Sequence, residues 1–387
     1  MTLTGTSDVL IIGAGPSGCA AGIQLSRSGW NVAVLDAARF PRDKVCGDAL
    51  SPEAARLITQ LGASAAIHSS PHAIYTRGAA IFPDGTRIER THRHPGYIVP
   101  RRDLDFGLLR ALREAGAQVF EGQRVAALDR AQGVVCGARG PGLSWSARLV
   151  IASDGYSSLT NKQSVRLAVQ SQQIAVSATA YFTGVSFPHG TDVSEHFFEH
   201  DLALGYAWIF PPVDGRSNVG VYMRSDAYVK CGLKLPELLD RFMARHPDRF
   251  RDAVRQSEIR SWPLPLAPRE QAPCEPGLLL AGDAAGMVDP LSGEGIWQAL
   301  SSGMLAASVA HEALRVGELS EPLRARYAAA CDRQFARPGR RKLWAQEANE
   351  FIMHHRLFRQ PLVRTLLQWG WNNPLFDLQV QPASHHG

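Results

Sequence analysis

Gly13-Ala14-Gly15-Pro16-Ser17-Gly18 closes a short apolar run, Asp8–Gly13, and opens a stretch, Pro16–Ser28, whose apolar positions include Ala20, Ile23 and Leu25. The first half reads as a strand and the second has helical spacing, so the glycines sit in a strand–turn–helix unit. Glycine permits the tight turn and lets backbone N–H groups reach a pyrophosphate at the helix N-terminus. A second strand, Asn31–Leu35, ends in Asp36, placed to accept hydrogen bonds from an adenosine ribose. This is the opening βαβ of a doubly wound sheet, which makes the chain α/β with a Rossmann-type domain. Taken alone, the fingerprint fits FAD and NAD about equally, with a chance match as a third option.

Two later segments decide between them. Ile151-Ala152-Ser153-Asp154-Gly155 sets an acid and a glycine directly after a buried strand. Leu278–Ala281 then leads into Gly282-Asp283-Ala284-Ala285-Gly286, with Pro290 and Gly293-Glu294-Gly295-Ile296 beyond it. Asp283 is placed to bind a ribityl chain or bridge to the pyrophosphate. A helix starting near Gly293–Gly295 points its positive end at a flavin pyrimidine ring, where reduced flavin carries negative charge. One Asp-Gly is only a turn signal; three Gly/acid sites in this order point to FAD.

The rest of the chain interleaves two lobes. The spacing predicts a helix from Ser51-Pro52-Glu53, a helix over Arg102–Ala115, and strands at Gln118–Leu128 and Arg148–Ser153. Ile174–Phe187 and Asn218–Arg224 alternate like antiparallel strands and, together with Ile74–Arg90, suggest a separate sheet that carries the substrate. Gly277–Ala281 and a helix over Glu294–Ala313 return to the first lobe. The expected division is an FAD-binding domain of 1–70, 98–160 and 275–320, a substrate domain of 71–97 and 161–274, and a helical C-terminal region of 321–387.

Composition narrows the function classes. The 387 residues are 45% hydrophobic and 20% charged, as in ordinary globular proteins, and no apolar run reaches spanning length. The six cysteines are scattered without a C-x-x-C pair, which fits a reducing cytoplasm, and the start shows no export signal. A net charge of +5 suits an anionic ligand or a membrane surface, but no Lys/Arg stripe interleaved with aromatics marks nucleic-acid binding. His92 and His94 near a turn, and Glu350 with His354 on one helix face, lack a third ligand, so no metal is expected.

Further segments complete a pattern: Phe40-Pro41-Arg42-Asp43-Lys44-Val45-Cys46-Gly47-Asp48, then Leu50-Ser51-Pro52; Arg101 with Leu104-Asp105; Tyr206-Ala207-Trp208-Ile209-Phe210-Pro211; and Asn218-Val219-Gly220. With Gly282–Gly286 and Pro290–Ile296, the chain from Asp8 to about Ser308 resembles the FAD-dependent geranylgeranyl reductase family, a branch of the group that includes aromatic hydroxylases and flavin halogenases. The resemblance implies FAD contacts at Pro16, Ser17, Asp36, Cys46, Gly47, Ala49, Arg101, Val125, Asp283, Gly295 and Ile296. To these the fingerprint and the acid sites add Gly13, Gly15, Gly18, Asp154, Gly155, Gly282 and Gly293. The resemblance also implies that Tyr206, Trp208 and Phe210 line the substrate cavity, so that truncating Trp208 should leave melting near wild type.

The sequence departs from the neighbouring subgroups. Gly286 stands where aromatic hydroxylases usually carry His, and Tyr206-x-Trp208-x-Phe210-Pro211 replaces the halogenase Trp-x-Trp-x-Ile-Pro. The Asp154-Gly155 region ends in Asn161-Lys162, where an Arg is common. The implied reaction is hydride transfer from reduced FAD to a carbon–carbon double bond of an apolar or aromatic substrate, small or carrier- or peptide-bound. Cys46 is the candidate catalytic thiol. The alternative is hydroxylation of an aromatic or peptidyl substrate with NAD(P)H and O2. With no second G-x-G-x-x-G, NAD(P)H would dock transiently as electron donor. Leu357–Trp371 reads either as an amphipathic helix on a membrane surface or as a helix packed over the substrate cavity.

Overall fold

The computed structural model describes residues 2–372 apart from 165–169, 270–271, 318 and 320, and Asn161 in its backbone only. The expected domains 1–70, 161–274, 275–320 and 321–387 each reach beyond these, the last through 373–387, and the Asn161 side chain lies outside the described residues. Strand β1, Leu3–Ile12, turns into α1, Pro16–Arg27, which returns to β2, Val32–Asp36. Four of the five β2 residues are buried, as a strand covered on both faces requires.

The second lobe begins as a hairpin, β3 (Ala73–Ile81) and β4 (Arg87–Ile98), across the expected segment Ile74–Arg90. Pro83-Asp84-Gly85-Thr86 makes the turn, with Gly85 at φ +82°. Helix α2 is Arg101–Glu114, and β5 is Gln118–Glu121. The expected strand Gln118–Leu128 divides there, because Gly122 takes φ +73° and the chain restarts at Ala127–Ala131 in a different pairing. Strand β6, Leu143–Ala152, runs parallel to β1 along its whole length, and so starts earlier than the buried part Arg148–Ser153 suggests.

Four further strands lie in the second lobe: β7 (Ile174–Thr183), β8 (Val193–Phe197), β9 (Gly205–Ile209) and β10 (Ser217–Arg224). They pair antiparallel in the order β7-β10-β9-β8. The joint from β8 to β3 is parallel, Val193–Phe197 against Arg77–Ile81, so this sheet is antiparallel with one parallel pairing. Strand β11, Leu278–Leu280, joins the first sheet beside β6, giving the parallel order β11-β6-β1-β2-β5.

Helix α3, Ile296–Val316, packs on α1 with backbones almost touching: a Cβ on Gly303 would lie 2.1 Å from the Ser17 carbonyl oxygen. Helices α4 (Arg337–His354) and α5 (Pro361–Asn372) close the described chain, and α5 packs on β4. Among the described residues, no helix is long and apolar enough to cross a membrane.

Candidate active site

Two helices open toward the same space. Helix α1 starts after Gly15 and α3 after Gly295, and neither has a side-chain cap, so their first-turn amides keep no partner from a capping residue. Both N-termini line one cavity of about 840 Å³ that runs between the two sheets. Two positive helix ends in one enclosed space suit a ligand with two separated electron-rich groups, as the diphosphate and the reduced isoalloxazine of FAD are.

The conformation of the first turn explains its glycines. Gly13 has φ +100°, and a Cβ there would lie 2.4 Å from the Ser153 carbonyl oxygen. Gly15 meets nothing nearer than the Arg42 guanidinium at 3.8 Å, so its free side faces the cavity. At the end of β2, Asp36 accepts the Ala14 and Ala38 N–H groups, each at 2.7 Å, and its carboxylate also lines the cavity. Asp154 accepts from the Ser158 and Thr160 hydroxyls, and Lys44 forms an ion pair with Asp283 at 3.1 Å.

The structure brings nearly every expected residue to this cavity. Gly13, Gly15, Pro16, Ser17, Asp36, Cys46, Gly47, Ala49, Arg101, Val125, Asp154, Gly155, Asp283, Gly293, Gly295 and Ile296 line it, as do Tyr206, Trp208 and Phe210. Gly18 and Gly282 do not. A Cβ on Gly18 would sit 1.9 Å from the Gly13 carbonyl oxygen, and one on Gly282 would sit 2.8 Å from Ser17 Oγ at φ +64°. Gly18 lets the backbone of the turn close on itself, while Gly282 adopts a positive φ and leaves room for the Ser17 side chain.

Beneath the Cys46–Asp48 loop lies a buried polar network that the sequence did not announce. Asp48 adopts φ +65° and accepts from the Tyr181 hydroxyl, from Asn218 Nδ2 at 3.0 Å and from the Arg101 N–H at 3.2 Å. Asn218 Nδ2 also donates to the Cys46 carbonyl at 2.8 Å, while its Oδ1 accepts from Trp208 Nε1 at 3.0 Å and from Thr179. Burial pushes the Asp48 carboxyl up to about 6, against the pull of Tyr181, Asn218 and Arg101. Burial likewise raises the Cys46 thiol, and the Arg101 charge beside it offsets this only in part, so Cys46 stays protonated at neutral pH.

The aromatic wall is both lining and core. Trp208 is 5% exposed, its ring packs over Gly220, and Tyr206 and Phe210 flank it. Truncating Trp208 would therefore not leave melting untouched, which corrects the expectation drawn from the resemblance. The Tyr206 and Tyr222 hydroxyls donate to the Ser292 and Pro290 carbonyls, tying this wall to the loop before α3. Farther out, His196 meets Tyr206, Phe210 and Trp371, and α4 and α5 close that end. The Leu357–Trp371 stretch thus does pack over the cavity, through Leu366, Leu367, Gly370 and Trp371.

Glu294 accepts from the Ser51 hydroxyl, which also caps the helix Pro52–Gln60. Enclosure by protein, with Asp289 and Glu53 nearby, pushes its carboxyl up to about 7. Its remaining accessible surface faces the cavity. A carboxyl raised on folding favours the folded state most below its unfolded pKa, and that contribution is lost as pH rises through the folded value. Relative to Glu294→Gln, the wild-type protein should lose a few degrees of melting temperature as pH rises from near 4.5 through about 7. Parallel melting curves for the two proteins across this range would expose the role as absent.

Residues 6–335 match the model of the FAD binding domain family. The chain is 29% identical over 320 residues to menaquinone reductase of Mycobacterium tuberculosis, covering 80% of this chain and 78% of that one. It is 26% identical over 354 residues to digeranylgeranylglycerophospholipid reductase of Thermoplasma acidophilum, covering 88% and 87%. Among solved structures, a geranylgeranyl bacteriochlorophyll reductase-like protein from Thermoplasma acidophilum superposes with a TM-score of 0.80 at 24% identity, over 89% of this chain and 88% of that one. A flavin-dependent brominase gives the same TM-score at 18% identity, over 98% and 96%. At these identities the two structures share the fold.

Proposed function

The chain belongs to the FAD binding domain family and is an FAD-dependent oxidoreductase, and from that premise we propose that it reduces a carbon–carbon double bond in an apolar, prenyl-type chain. The observation that carries this reading is the continuity of the cavity, from the two uncapped helix N-termini past Cys46 to the aromatic wall of β9 and on to α4 and α5. A long apolar chain fits such a space. The names of the relatives, a menaquinone reductase and a digeranylgeranylglycerophospholipid reductase, support the same class.

When bound and reduced, FAD supplies the hydride. The individual contacts are part of the proposal: Gly15, Pro16 and Ser17 hold the pyrophosphate, Asp36 the ribose, and Asp283, Gly295 and Ile296 the flavin end. Arg101, fixed by Asp105, seats the Cys46–Gly47 loop against the cofactor. The Cys46 S–H, kept protonated by burial, supplies the proton to the second carbon of the double bond and is itself reprotonated from solvent. Tyr206, Trp208 and Phe210 hold the substrate by buried area and shape. NAD(P)H serves as a transient electron donor, and six free thiols suit a reducing, cytoplasmic setting.

The test is anaerobic turnover of dithionite-reduced enzyme with a geranylgeranyl lipid and with a polyprenyl quinone, read by mass spectrometry. The expected product carries an added pair of hydrogens. Cys46→Ser should keep its flavin spectrum and turn over at least about a hundredfold more slowly, the low end for losing an acid catalyst. A product that forms only with O2 and carries an added oxygen would replace this reading with hydroxylation.

A further inference from the structure

The two C-terminal helices carry a surface that catalysis does not use. On α4, Trp344 and Phe351 are 71% and 59% exposed, and they lie on one stripe with exposed Arg337 and Arg341, at spacings of three, four and seven residues. On α5, Leu362, Leu366 and Trp369 are 72%, 58% and 52% exposed and recur at four and three. These five make up most of the large apolar side chains exposed in the described chain. A soluble surface scatters such residues singly; a cluster marks a contact.

Two of the five, Trp344 and Leu366, also line the cavity. They mark a place where it opens, so the apolar surface surrounds a mouth of the substrate space.

Charge identifies the occupant. Positions 333–372 hold eight Lys and Arg against two Glu, a larger positive excess than the +5 of the whole chain. Arg333, Arg341 and Arg356 are exposed and make no ion pair among the described residues. Exposed Trp and Leu rimmed by arginines fit the interface of an anionic bilayer, where the indoles sit at headgroup depth and the guanidiniums meet lipid phosphates.

We propose that the outer faces of α4 and α5 dock on an anionic lipid bilayer and present the cavity mouth to it. A substrate chain would then pass from the membrane into the cavity without crossing water. The inference goes beyond the proposed reaction and stands or falls independently of it, because binding is read without turnover.

Flotation of the full-length, FAD-loaded protein with vesicles tests it. Expected is binding to vesicles of phosphatidylcholine mixed with phosphatidylglycerol, weakened by salt, and little binding to phosphatidylcholine alone. The variant F351S/L362S/W369S changes exposed residues that do not line the cavity. It should lose about tenfold or more in vesicle affinity while keeping wild-type FAD content and melting temperature. The pair R341E and R356E should weaken binding to the anionic vesicles alone. The proposal is overturned if the full chain, with residues 373–387 present, does not float with anionic vesicles. It is equally overturned if the triple variant floats like wild type, or if wild type sediments as a dimer that the triple variant dissociates, since the surface would then face a second copy.

Discussion

Asp105→Ala is expected to destabilise the protein by about 3–5 kcal/mol, the range for removing one partner of a buried ion pair. Arg101 Nε and Nη2 donate to the two Asp105 oxygens, each at 2.8 Å, and Arg42 adds a third contact at 2.9 Å. Arg101 and Asp105 are almost wholly buried. Burial by itself would raise the Asp105 carboxyl, but the charges of Arg101 and Arg42 more than offset this and hold it below its ordinary value. Without the carboxylate, the buried Arg101 guanidinium loses the partner that takes both of its hydrogen bonds and is left facing the partly exposed Arg42. The damage should spread, since Arg101 borders the Cys46 thiol and its N–H donates to Asp48. A depressed carboxyl contributes stability above its unfolded pKa and loses it as pH falls through the folded value. The gap between variant and wild type should therefore be full at neutral pH and narrow in acid. Urea unfolding at both pH values measures it; a neutral-pH difference under about 1 kcal/mol would mean that the pair is no more than an exposed one in effect.

What could be read from the sequence was what local chemistry specifies. The Gly13–Gly18 turn, Asp36 and the Asp283 segment each combine a strand end, a glycine and an acid within a few residues, and the structure gathers them around one cavity. Long-range polar contacts left no such mark. Asp48 meets Tyr181 and Asn218 from 133 and 170 residues away, and a Tyr and an Asn in alternating strands look like any others. Asp48 itself stood inside the Cys46-Gly47-Asp48 run, but nothing there shows that it folds beneath the loop at positive φ. The hairpin turn at Asp84-Gly85 was a usable signal within the segment Ile74–Arg90. The aromatic face of β9 was legible as a face; that its partner Gly220 makes it core as well as wall depends on cross-strand packing.

Gly15→Ala and Gly18→Ala should both lose FAD, for different reasons that one pair of measurements separates. At Gly18 the new Cβ would fall 1.9 Å from the Gly13 carbonyl oxygen and 2.6 Å from Ser153 Oγ. The first neighbour is backbone in the turn itself, and Ser153 Oγ is held by the Ile12 and Gly13 carbonyls at 3.0 and 2.8 Å. Neither can yield without moving β1 from α1, so the cost is that of overpacking, about 1–3 kcal/mol, and the amides of the turn are displaced with it. Gly15 has φ −74° and ψ −176°, a conformation open to alanine, and its Cβ would meet only Arg42 Nη2 at 3.8 Å. Gly15→Ala should thus stay within about 0.5 kcal/mol of wild type as apoprotein. Its methyl group nevertheless enters the space in front of the α1 N-terminus, where the pyrophosphate must approach the amides closely. FAD affinity should fall at least about tenfold, roughly 1.4 kcal/mol. Melting of the apoproteins and fluorescence titration with FAD resolve the two effects. A Gly15→Ala protein that binds FAD like wild type would show that the diphosphate does not lie over this turn, and the assignment of the cavity's adenosine end would have to move.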